Sequence, residues 1–94
     1  MPEYDRTATV ASAAANTVIK GAAGRLRRIL VTTAGTGTGQ VLFFDNATTN
    51  SATVLAGIPA TVAIGTFYIF EMPAALGITA QNVASGPVLT VSFD

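Results

Sequence analysis

Helical periodicity is nearly absent from this chain. Thr, Val, Ile and Phe recur instead in short runs, and Gly, Pro and Asn cut one run from the next. β-branched and aromatic side chains suit a pleated surface, while Gly, Pro and Asn suit the turns between strands. The one Ala-rich patch, Ala11-Ser12-Ala13-Ala14-Ala15, is short and leads into Thr17-Val18-Ile19. It reads as a loop or an extended arm.

The runs predict about eight strands, over residues 7–11, 16–20, 25–33, 40–45, 52–56, 60–72, 76–80 and 88–93. Short antiparallel strands at this spacing suggest an all-β chain with a single β-sandwich of jelly-roll type. The domain takes in residues 1–94, with residues 1–11 expected as an extended N-terminal arm. Gly35-Thr36-Gly37-Thr38-Gly39 invites comparison with a phosphate-binding loop, which runs from a strand into a helix. Here a strand follows, and no Lys-Ser or Lys-Thr is present. A flexible hairpin tip is expected.

A chain of 94 residues makes one domain with a modest core. Such domains lean on disulfides, metals or oligomerisation. There is no Cys and no His, so disulfides, thiolate metal sites and imidazole ligands are all excluded. Charged residues make up 11% of the chain, against about 25% in an average soluble domain. Oligomerisation is therefore the expected support. The formal net charge is zero, which argues against a nucleic-acid grip. No apolar run approaches the ~20 residues that span a bilayer, so no membrane partner is expected.

The faces of the predicted strands carry the same message. Residues 88–93 alternate, with Leu89, Val91 and Phe93 on one side and Val88, Thr90 and Ser92 on the other. That is the pattern of a half-buried strand. The sixth run differs: Val62, Ile64, Tyr68, Phe70 and Met72 oppose Ala63, Phe67 and Ile69. In the fourth run Val41 and Phe43 oppose Leu42 and Phe44. A sandwich covers one face of each sheet, so a second apolar face needs another cover. A neighbouring subunit is expected there, with Phe67, Ile69 and Phe44 at the interface. The alternative is a loop of the same chain.

Chemistry is sparse. The serines have no His beside them, and Lys20 is the only lysine. The acids Glu3, Asp5, Asp45, Glu71 and Asp94 form no Asp-rich loop. Asp45 and Glu71 are expected at solvated strand ends. No enzyme, cofactor or small-molecule substrate is expected. Arg25-Leu26-Arg27-Arg28 holds three of the five basic residues. Simple alternation puts Arg25 and Arg27 on one face and Arg28 on the other, as solvated charge or as a contact for an acidic protein surface.

The order Val18-Ile19-Lys20-Gly21-Ala22-Ala23-Gly24-Arg25-Leu26, then Thr32-Thr33-Ala34-Gly35, then Val41-Leu42-Phe43-Phe44-Asp45-Asn46-Ala47, closing with Val88-Leu89-Thr90-Val91-Ser92-Phe93, resembles the head decoration or cement proteins of tailed bacteriophages. The resemblance runs from about residue 16 onward and rests on turn-and-strand patterns. It implies a jelly-roll sandwich that forms a homotrimer on the outer surface of the virion, bridging copies of the major capsid protein. Such a protein is made in the host cytoplasm. Tyr4 and Arg6 in the arm, with Arg25, Arg27 and Arg28, are the expected capsid contacts. Two other readings stay open: a domain of a head fibre, tail or receptor-binding apparatus, and a carbohydrate-binding β-sandwich module. The second is short of exposed aromatics, since the chain has no Trp.

Overall fold

The structure, a computed structural model, describes residues 6–50 and 53–94. Eight strands follow in order: β1 (Arg6–Val10), β2 (Thr17–Lys20), β3 (Gly24–Thr33), β4 (Gln40–Asp45), β5 (Thr53–Pro59), β6 (Phe67–Ala74), β7 (Ile78–Gln81) and β8 (Val88–Phe93). All strand pairs are antiparallel. They form two four-stranded sheets, β1-β8-β3-β6 and β2-β7-β4-β5. The fold is an all-β sandwich.

The wiring is nested. β1 pairs with β8, β2 with β7, β3 with β6 and β4 with β5. The chain thus behaves as one long hairpin whose tip is the β4–β5 connection, rolled so that β8 also meets β3 and β7 also meets β4.

The core lies between the sheets. From the first sheet come Val10, Leu26, Ile29, Val31, Leu89, Val91 and Phe93. From the second come Ile19, Val41, Phe43, Leu55, Ile58, Ile78 and Ala80. Burying a side chain of this size contributes about 1.5–3 kcal/mol. Tyr68 and Phe70 of β6 and Ala8 of β1 pack against this core only partly buried, because β1 and β6 are the sheet's two edges.

Three expectations need correction. Residues 6–10 are not a free arm: they form β1, hydrogen-bonded in register from Arg6↔Phe93 to Val10↔Leu89. The long sixth strand begins only at Phe67. Residues 60–66 are turns, with Val62 N–H donating to Pro59 O and Thr66 N–H to Ala63 O. Here the chain leaves the second sheet for the first, so its apolar residues belong to a crossing: Val62 plugs the core and Ile64 stays exposed. Nor is the glycine loop a free hairpin tip. β3 and β4 lie in different sheets, and the N–H groups of Thr36 and Gly37 both donate to Ser85 O at 2.8 Å. A side chain at Gly35 would strike the backbone of Ala60 and Pro87.

Candidate interaction surfaces

Apart from Phe44 and Tyr4, the expected contact residues lie on β1, β3 and β6 of the first sheet. A β-bulge decides how they are displayed. Leu26, Ile29 and Val31 all point inward with at most 1% of their surface exposed. Strict alternation cannot bring both Leu26 and Ile29 inward, so one residue is extra. The register slips between Leu26 and Arg28 against both neighbouring strands. Arg28 therefore does not oppose Arg25. Its register partners are Ile69 and Ser92 on the outer face, and Arg25 is also solvent-exposed.

Arg27, set at the bulge, is not loose solvated charge. Its Nε donates to Glu71 Oε2 at 3.0 Å and its Nη1 to Asp94 Oδ2 at 3.0 Å. Arg25 joins the group through Glu71 Oε1 at 3.7 Å. Glu71 is not at a strand end. It lies inside β6 with φ 56°, a left-handed conformation that a side chain disfavours. Among the described residues this cluster sets two cations against two carboxylates. Arg28 takes part in none of the ion pairs among the described residues. Arg6 is exposed at the start of β1. Tyr4 lies outside the described residues.

Beside Arg28 stands an apolar patch. Phe67 is 61% exposed, Ile69 60% and Leu30 42%. Phe67 is the register partner of Leu30, and Ile69 that of Arg28, so all share the outer face. Neither sheet of this sandwich covers Phe67 or Ile69. Leu30 went unforeseen because alternation from Leu26 sends it inward, and only the bulge turns it out.

Phe44 belongs elsewhere. It is 8% exposed, so the chain itself supplies its cover and the interface expectation fails for this residue. Phe44 pairs with Thr79 on the outer face of the second sheet. Thr79 Oγ1 donates to Thr49 O at 3.0 Å, and Asn50 Nδ2 donates to Ala15 O. Residues 46–50 thus double back over that face, which is the loop alternative.

Two polar residues organise loops, and neither has a motif that marks it in sequence. Asp45 accepts backbone N–H groups from Ala75 at 3.0 Å and Leu76 at 2.8 Å, with a longer contact from Gly77. These bonds, Leu76 first, hold its carboxyl below the ordinary range. Buried Asn82 donates to Ala11 O and Pro87 O and accepts from Val83 N–H. Among the described residues no group of three or more His, Cys, Asp or Glu is placed to hold a metal ion. No helix among them is long and apolar enough to cross a membrane.

No family model, curated protein or solved structure matches the chain.

Proposed function

We propose that this protein is a non-enzymatic structural component of a virus particle, a decoration protein. It sits as a homotrimer on the outside of the head and bridges copies of the major capsid protein. The observation that carries the reading is the outer face of the first sheet. Phe67, Ile69 and Leu30 expose an apolar patch beside Arg28, which takes part in none of the ion pairs among the described residues. Exposed apolar patches of this kind mark interaction sites. The nested pairing of β1 to β8 supports jelly-roll wiring, as in other double-sheet sandwiches built from two Greek keys.

The mechanism is mechanical. A shell packed with genome pushes outward, and a clamp across subunit junctions resists their separation. Each contact can be weak, because symmetry repeats it and many copies act together. Arg6, Arg25 and Arg28, all exposed on strands of the first sheet, are the proposed capsid-facing cations.

The test is co-sedimentation of purified protein with heads assembled without it. Pelleting at a fixed ratio of copies to capsid subunits is the expected result. Protein that stays in the supernatant over saturating concentrations would remove the capsid reading.

A further inference from the structure

The hydrogen-bond phase of the first sheet shows which backbone groups its two edges leave free. Val31 N–H donates to Thr66 O at 2.9 Å, and Val31 O accepts from Gly65 N–H at 2.9 Å. Val31 thus spends its backbone bonds on the β6 side. In an antiparallel ladder the bonded pairs alternate. Ile29↔Tyr68 is then a bonded pair, while Leu30↔Phe67 and Arg28↔Ile69 are not. The N–H and C=O of Phe67 and Ile69 consequently point away from β3, to the open edge.

The same phase carries across β8. Leu30 and Arg28 spend their bonds on Thr90 and Ser92. Leu89, Val91 and Phe93 are left to bond β1, through Val10, Ala8 and Arg6. The mutual bonds between Arg25 and Asp94 fit this phase. Thr7 and Thr9 therefore face the opposite open edge. Each edge presents two N–H and two C=O groups at alternate residues.

We infer that the β6 edge of one copy pairs antiparallel with the β1 edge of a second copy, Phe67 opposite the partner's Thr9 and Ile69 opposite the partner's Thr7. This deepens the trimeric reading above and rests on it for the number of copies. Four hydrogen bonds form, and every free group at these positions is used. Strand direction matches without adjustment: neighbours alternate across β1-β8-β3-β6, so a next β1 is already antiparallel to β6.

Side chains fit as well. The pairing sets Tyr68 opposite the partner's Ala8 on the inner face. Ala8, Tyr68 and Phe70 are the partly buried apolar residues that fringe the core, and a large ring against a methyl completes it. A twofold pairing of β6 with itself in the same phase sets Tyr68 against Tyr68 in the close, non-bonded position, which is crowded. The edge also lacks the usual guards. Residues 66–70 hold no charge and no proline, whereas the left-handed Glu71 and Pro73 end the open stretch. An interface joining two different surfaces closes into a ring when the rotation allows. Each copy then uses both edges.

Proline substitutions read this out, because in this phase the N–H groups lost are not bonded among the described residues. Light scattering of the full chain should give about three times the 9.5 kDa of one copy. Ile69→Pro and Thr7→Pro should each give single copies with unchanged circular dichroism. Mixed at equal amounts, the two variants should form dimers, since one intact β6 edge meets one intact β1 edge. Phe67→Pro, which removes the other free N–H of this edge, repeats the β6 arm should Ile69→Pro fail to fold. A Thr7→Pro protein of unchanged mass, a mixture that stays single, or a wild-type protein of single-copy mass each overturns the edge pairing. A trimer surviving both prolines overturns it while leaving a trimeric decoration protein standing.

Discussion

Asp45 Oδ1 accepts the backbone N–H of Leu76 at 2.8 Å, across 31 positions of sequence. This bond and its neighbours from Ala75 and Gly77 fasten the β6–β7 turn to the end of β4. They favour the charged carboxylate, so its folded pKa lies below the ordinary 3.8. A group depressed on folding stabilises above its unfolded pKa and loses that contribution as pH falls through the folded value. Urea midpoints should therefore drop for the wild type as pH falls below about 4. Asp45→Asn should be less stable near neutrality, with a gap that narrows in acid. A gap independent of pH would mean that the turn is held by something other than the charge.

Glu71 holds a left-handed backbone inside a strand, balanced by contacts to Arg27 and Arg25. Those ion pairs are largely exposed and are worth little each. The backbone term should then dominate the comparison of small substitutions. Glu71→Gly should be more stable than Glu71→Ala by about 1 kcal/mol, the left-handed penalty of a side chain. Chemical denaturation of the two variants measures it.

Gly35 is required by close approach rather than by its φ. A methyl there meets Ala60 O, and Pro87 N at 2.6 Å. Gly35→Ala should cost more than about 2 kcal/mol, as overpacking against backbone does. By contrast Gly65, with φ 86° and open space around it, should lose only about 1–2 kcal/mol on substitution by alanine.

Phe44 and Phe67 separate cover from exposure. Phe44→Ala should destabilise the single chain by about 3 kcal/mol, since it empties a filled site. Phe67→Ala should change unfolding of the dissociated chain by less than about 0.5 kcal/mol. Thermal melts at low protein concentration compare the two directly.

Strand pattern was legible where the chain stays in one sheet. Residues 40–45 and 88–93 are strands with the limits that their composition predicts. It failed where the path leaves a sheet: Val62 and Ile64 are as apolar as any strand residue, yet they sit in turns between β5 and β6. Nothing local says that Gly65 belongs to a crossing. The Arg25–Arg28 faces failed for a related reason. A bulge is a property of pairing with β8 and β6, which single-strand alternation cannot contain. Phe67 and Ile69 were readable as a second apolar face. Phe44 read the same way, because cover by residues 46–50 depends on the distant Thr79 and Ala15.

The nested wiring also sets how quickly the domain can form. β8 occupies the middle of the first sheet, between β1 and β3. Until residues 88–93 are in place, β1 has no partner and one whole side of β3 stands open. Pairings far apart in sequence cost loop-closure entropy before their contacts offset it, which places such a topology among the slow folders, on a scale of about milliseconds to seconds. A nascent chain halted before β8 presents unpaired strands to every other copy around it, so correct assembly depends on synthesis outrunning encounter.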